Sequence, residues 1–203
     1  MRPSRTVIVL ADPAVPRLQT RRTVMREWRA SDLDAFAAMS ADPQVQRFMG
    51  GVEDRAQAWR SMALHTGHWL LRGYGCWVVE RQDDGVVLGR VGLWEPEGWP
   101  GLEVGWKLAR HAWGQGFAQE AAHAAMQWAW TVLGATRLIS LIDPENTASA
   151  RVAQRLGMRP DGEHTLFGIV VTVYAIDRAG EVREQSPRAR AGGRALPGSR
   201  DQE

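Results

Sequence analysis

Residues Leu102–Ala118 read LEVGWKLARHAWGQGFA, a strand-like alternation that runs into a glycine-punctuated turn and opens an alanine-rich helical pattern. In the alternating part Leu102, Val104, Trp106 and Leu108 fall on one face, and Glu103, Gly105 and Lys107 on the other, because successive strand side chains point to opposite sides. The turn is suited to an anion. The first N–H groups of a helix lack internal partners and sit at the positive end of its dipole, and Gly114 and Gly116 let the backbone come close. Two better-known phosphate loops fail on residues. No lysine stands where a G-x-x-x-x-G-K-[ST] loop needs it, and the sixth position of Gly114-Gln115-Gly116-Phe117-Ala118-Gln119 is neither Gly nor Ala.

Downstream, Gly116 to Leu133 places Ala118, Ala121, Ala122, Ala125, Ala129, Val132 and Leu133 on one stripe, with Gly134 as a stop. The near-continuous apolar run Thr136 to Ile142 predicts a strand buried on both faces. Glu145 to Leu156 predicts a second amphipathic helix ended by Gly157, and strands are expected at about 159–166 and 169–178. Upstream, Arg21 to Trp28 alternates as a first strand, and Ser31 offers an N-cap for a helix through Met39. Asp42-Pro43 starts a short helical turn, and Asp54 to about Leu71 carries a helical face. Cys76 to Arg81 and Val86 to Trp94, joined by Asp83-Asp84-Gly85, predict a hairpin. The order is β, helices, β-β-β, α, β, α, β-β, an α/β (α+β) layer fold. Residues 1–19, with three prolines, read as a flexible leader, 20–178 as one folded domain, and the Arg/Gly/Ala-rich 179–203 as a disordered tail.

The whole chain adds bounds. At 203 residues it has room for one domain. Formal net charge is +2 with arginine concentrated at both ends, so a nucleic-acid partner is not expected. The single cysteine, Cys76, excludes an internal disulfide and, within an apolar run, reads as a buried small hydrophobe. No apolar run reaches the roughly 18 residues of a membrane span, and the TVIVLA segment is short for an export signal, so the expected location is the cytoplasm. His65, His68, His123 and His164 show no metal or triad spacing and read as structural or surface residues, and no metal is expected.

The turn's pattern, x-x-x-Gly-x-Gly-x-Ala, is followed about thirty residues later by Asn146-x-x-Ser149, and REWRASD, WGQGFAQEA and DPENTASARVAQRLGM complete the set. Together they resemble the GCN5-related N-acetyltransferase (GNAT) superfamily, and look most similar to its ribosomal-protein alanine acetyltransferase branch, over about Arg21 to Arg178. The resemblance implies a mixed, mostly antiparallel central sheet of about seven strands flanked by helices, and acetyl-CoA as co-substrate. Its pyrophosphate would lie on the amides of Trp113, Gly114, Gln115, Gly116, Phe117 and Ala118, its pantetheine beside Trp106 and Leu108, with Asn146 bonding the pantetheine. The family's Gln or Arg three residues before the first glycine is here His111, a phosphate donor of a different kind.

Acetyl transfer needs a neutral amine, a polarised carbonyl and a proton for the departing thiolate. Glu103 is the candidate base, mid-strand on the polar face; alternatively it is only a solvated strand residue or pairs with Lys107. The tyrosine that many members use as acid is replaced by Ala153, so the resemblance puts Ser149 in that role. A backbone amide of Trp106 or Leu108 would be the oxyanion donor. Ten tryptophans, with Trp94, Trp99 and Trp106 crowded near this strand, either wall an acceptor groove or pack a core or dimer surface; packing is favoured. The expected activity is direct acetyl transfer to a primary amine, a small molecule or a protein N-terminus. The alternative is a non-catalytic acyl-CoA-binding protein on the same scaffold. A homodimer stays open.

Overall fold

The computed structural model describes residues 15–178. The expected disorder of 179–203, and the leader up to residue 14, lie outside the described residues. An eight-stranded sheet runs in the order β1 (Leu18–Gln19), β2 (Thr23–Arg26), β3 (Cys76–Arg81), β4 (Val87–Trp94), β5 (Glu103–Leu108), β6 (Arg137–Ile142), β8 (Ile169–Asp177), β7 (Arg159–Leu166). Every neighbouring pair is antiparallel except β5 with β6. The strand beyond the expected seven is β1. Leu18 and Gln19, read as leader, pair with Met25 and Val24.

The helices are α1 (Leu33–Ser40), α2 (Pro43–Gln46), α3 (Arg55–Arg72), α4 (Phe117–Trp128) and α5 (Thr147–Arg155). Asp54 closes a capping box with Gln57 at the start of α3, and left-handed Gly73 ends it. Ser31 does not cap α1. Instead the Asp32 carboxylate accepts from Arg29 N–H and clamps the buried Arg26 guanidinium at 2.8 and 2.9 Å, so this aspartate ties β2 to the first turn. The helix expected to run to Leu133 changes to a π turn over Ala129–Leu133 before left-handed Gly134.

Two apolar layers hold the sheet. On one side the α4 alanines 121, 122, 125 and 129, all fully buried, lie against Trp77, Val91, Leu93 and Val104; their small side chains let the helix approach closely, and Trp77 meets Trp69 and Trp128 edge to face. On the other, Phe36, Met39, Val45, Ala58 and Met62 join α1, α2 and α3. Between β4 and β5, Gly89 is required by contact, since a Cβ there would sit 2.2 Å from Lys107 O. The central strand therefore has one face toward α4 and the other toward α1 and α3.

Candidate active site

The sheet opens in its middle. Strands β5 and β6 share one register pair, Glu103 with Ile139. Around it Ile139 N–H donates to Leu102 O at 2.9 Å and Ser140 Oγ to Val104 O at 2.6 Å. Beyond that point the strands diverge. Ala109 N–H faces β4, bonding Leu88 O, whereas the carbonyls of Val104 and Leu108 turn the other way, to Ser140 Oγ and Trp113 Nε1. Alternation along the strand then directs the backbone N–H and C=O of Trp106 into the opening.

A cavity of about 670 Å³ occupies this opening; Trp106, Leu108, Trp113, Gly114, Gly116, Phe117, Ala118, Asn146 and Ser149 are among its walls. Nine of the twelve residues singled out in the sequence are thus brought to one place. The other three differ. His111 lies in a 3-10 turn off the cavity wall, and its carbonyl accepts from the Gln115 side chain at 2.7 Å. Gln115 also stands off the wall, its own carbonyl held by Arg22 at 2.9 Å. Glu103 sits on the opposite face of β5, beside the closed end of the gap.

The turn has the geometry an anion needs. Gly114 and Gly116 adopt φ of 73° and 81°, a left-handed conformation that favours glycine. Gly116 is the N-cap of α4 and has no side-chain cap, so the first amides of α4 point outward unpaired. The Arg22 guanidinium lies 4.5 Å from the centre of the Phe117 ring and pairs with Glu120 at 2.7 Å, fixing the first turn of the helix from the N-terminal strands.

Asn146 caps α5, its Oδ1 accepting from Ser149 N–H at 3.1 Å, while Trp106 Nε1 donates to Ser149 Oγ at 3.3 Å. Ser149 is therefore oriented by two groups that also form the wall. Ala153 is fully buried in the core beneath α5. Arg47, Arg151 and Arg155 complete the cavity rim. Sequence reasoning passed over them, although Ala148, Arg151, Val152 and Arg155 share one helical face.

Glu103 accepts from Trp99 Nε1 at 2.8 Å and from Leu141 N–H at 3.4 Å. The residue keeps partial exposure, yet burial of its carboxyl raises the pKa from 4.5 to about 7, against the opposing pull of those two hydrogen bonds and of the Arg90 charge. Near neutral pH it is then divided between acid and carboxylate, as a proton acceptor requires. The anticipated pairing with Lys107 does not form. Lys107 turns to Ser40 Oγ at 3.0 Å and Glu53 at 3.6 Å, over the Phe36 ring, and burial lowers its pKa to about 8. Trp99 and Trp106 belong to the site, whereas Trp94 packs against His65 and His68. Both histidines are buried, as a structural reading expects, and burial holds His65 well below its ordinary pKa. Cys76 is buried and its thiol pushed up by that burial. The described residues contain no cluster of metal-ligating side chains and no helix long and apolar enough to cross a membrane.

The acetyltransferase (GNAT) domain family matches residues 22–159. The uncharacterized protein YkkB of Bacillus subtilis is 33% identical over 133 residues, 61% of this chain and 73% of its own. Among solved structures, an acetyltransferase from Agrobacterium tumefaciens superposes with a TM-score of 0.74 at 27% identity, over 86% of this chain and 100% of that one. Mycobacterium smegmatis RimJ, solved in complex with CoA-disulfide, superposes at 0.65 with 19% identity, over 79% and 86%; this second likeness is one of fold.

Proposed function

Because the chain belongs to the acetyltransferase (GNAT) family, we propose that it moves an acetyl group from acetyl-CoA to a primary amine by direct transfer in a ternary complex. The observation that carries this reading is the gap between β5 and β6. It ends in unpaired helix amides at Gly116 and is bordered, across β5, by a carboxyl with a pKa of about 7. The residues fit the co-substrate. The turn from Trp113 to Ala118 would hold its pyrophosphate, and the inward backbone groups of Trp106 would pair with the pantetheine as an added strand. Acetyl-CoA supplies an activated thioester there.

Glu103 takes the proton of the incoming ammonium, directly or through one water, leaving a neutral amine as nucleophile. Trp106 N–H is the candidate donor to the thioester carbonyl, where charge develops. As the C–N bond forms and the C–S bond breaks, Ser149 Oγ, held by Trp106 Nε1, passes its proton to the departing thiolate and takes up the second proton that the acceptor nitrogen sheds on becoming an amide. Ala153, enclosed in the core, offers no hydroxyl for that step. Cys76 is buried with its thiol pKa raised by that burial, which disfavours a covalent acetyl-cysteine route. The resemblance of WGQGFAQEA and DPENTASARVAQRLGM to the ribosomal-protein branch points to a protein N-terminus as acceptor; a small-molecule amine is the other acceptor class. The absence of a tyrosine at position 153 also favours, as a second reading, an acyl-CoA-binding protein that does not turn over.

The test is release of CoA from acetyl-CoA across a panel of peptide N-termini and small amines, with Ser149→Ala beside the native chain. Release that depends on an amine and falls at least tenfold in kcat in the variant supports the assignment. Thermal stabilisation by acetyl-CoA with no release for any amine would establish the binding-only reading.

A further inference from the structure

The face of the sheet turned to α1 and α3 is polar where a core would be apolar. Register pairs on this face join Arg90 with Lys107, Gly92 with Gly105, and Trp94 with Glu103. The missing side chain of Gly105 leaves open space: an ideal Cβ there would meet only the Glu103 carboxyl, with Oε1 at 3.7 Å. Arg90 lies along the same row. Its Nη1 is 3.3 Å from Cys76 Sγ, and Cys76 is the register partner of Gly92, whose other partner is Gly105.

Arg90 is poorly compensated. Its hydrogen bond to a thiol sulfur is weak, and its enclosed Nε has no hydrogen-bond partner among the described residues. Neither carboxylate of this region bonds it: Glu103 is held by Trp99 and Leu141, and Glu53 lies 3.6 Å from Lys107 with its Oε2 making no hydrogen bond among the described residues. Enclosing a guanidinium donor without a carboxylate is costly. Its charge also acts on the groups around it, favouring the neutral forms of His65 and Lys107 and the anionic forms of Glu103 and Cys76. This row of the sheet thus carries a guanidinium with an unsatisfied donor at one end and a carboxyl at the other, with space at Gly105 between them.

That arrangement complements a molecule carrying both an amine and a carboxylate. We infer that Arg90 is a specificity determinant of the acceptor side, taking a carboxylate borne by the amine acceptor, so that the preferred acceptors are amino-acid-like. The carboxylate comes either from a free amino acid or from an acidic residue beside a peptide N-terminus. The inference rests on the proposed transferase reading, and its test separates the two.

The full chain is assayed for CoA release with matched acceptors that differ only in the carboxylate: free amino acids against their carboxamides, and short peptides with Asp or Glu against Asn or Gln in the first three positions. In parallel, N-acetylated amino acids and their amides are titrated into the chain with CoA present, which reads binding without turnover. Native protein is expected to favour the carboxylate member by about 10- to 100-fold in kcat/KM, mostly through KM, the range of a charge-assisted hydrogen bond. In Arg90→Gln this ratio falls toward 1, and in Arg90→Lys it is intermediate. Because both acceptors are measured on one sample, partial misfolding of a variant cancels from the ratio. Preference confined to the free amino acids, or to the acidic peptides, identifies the source. Turnover with no carboxylate preference, or a preference unchanged in Arg90→Gln, overturns the inference and leaves the transferase standing. Arg90-dependent binding of the N-acetylated amino acids without turnover of any amine would show that Arg90 takes a carboxylate but would overturn its role toward an acceptor together with the transferase reading. Neither turnover nor carboxylate-selective binding overturns both.

Discussion

Replacing Glu103 with glutamine is expected to make the protein more stable and less active at once, with both effects set by pH. The amide keeps the shape of the side chain and an oxygen to accept from Trp99 Nε1, which bonds the native carboxyl at 2.8 Å. What it removes is the ionised form in an enclosed place. The folded pKa of about 7 stands above the ordinary 4.5, so the unfolded chain gives up this proton more readily than the folded one. Below pH 4.5 both states hold the proton and the group costs nothing. The cost grows as pH rises from 4.5 and is complete above pH 7. A gap of about 2.5 pH units corresponds to about 3.5 kcal/mol at 1.4 kcal/mol per unit, an upper bound because denatured chains are not fully solvated. For a chain of this size that is a rise in Tm of several degrees, up to about 10 °C. Thermal unfolding of both proteins from pH 4 to pH 8.5, followed by circular dichroism, should therefore give curves that meet at the acid end and separate above neutrality, with glutamine higher. In the same variant kcat/KM should fall by about 100-fold or more and lose its rise through pH 7. A Tm difference independent of pH, or a variant less stable at pH 8, would refute the account of Glu103 as a desolvated carboxyl, and with it the reason for calling it a base.

Trp99→Phe removes the neutral donor that holds the Glu103 carboxylate, so the rising limb of the pH–rate profile should move to higher pH, read from kcat/KM between pH 6 and 9. Asn146→Ala loses the cap that accepts from Ser149 N–H; about 1 kcal/mol of stability should go with it, and kcat should drop as the Ser149 hydroxyl loses its fixed position. Gly89→Ala would place a methyl 2.2 Å from Lys107 O; denaturant titration should show a loss of more than about 3 kcal/mol or no soluble protein, since neither strand can yield. Asp32→Ala leaves the Arg26 guanidinium enclosed with Glu80 as its remaining charged partner among the described residues, and should cost about 3–5 kcal/mol by the same measurement.

The alternation of Leu102–Leu108, the glycines of the turn and the alanine stripe of α4 were readable in sequence because each is a local property: period, backbone freedom, side-chain size. The same holds for Asn146 and Ser149, whose spacing places them in one turn of α5. What could not be read is what depends on pairing across the sheet. Arg90 looks like an ordinary strand arginine until register sets it opposite Lys107, and Glu53 reads as loop until it returns to that lysine. The alternative in which Glu103 pairs with Lys107 does not form because each is held by another segment, Glu103 by Trp99 and Lys107 by Ser40 and Glu53. His111 was placed by analogy at the phosphate, whereas the 3-10 turn between β5 and α4 carries it away from the cavity. Ser31 does not cap α1 because the helix begins one residue further on, behind Asp32, whose carboxylate turns back to Arg26 and Arg29 N–H and makes no cap bond to the helix.

The single register pair that joins β5 to β6 has a mechanical side. Five strands lie on one side of that rung and three on the other, and the hydrogen bonds across it gather at Leu102, Glu103 and Val104, from Ile139 N–H, Leu141 N–H and Ser140 Oγ. Opening of the sheet as it breathes would concentrate at this seam, with β6, β8 and β7 moving as one leaf. A ligand laid along the seam as an added strand supplies rungs to both leaves, so filling the groove would stiffen the whole sheet in addition to occupying a cleft.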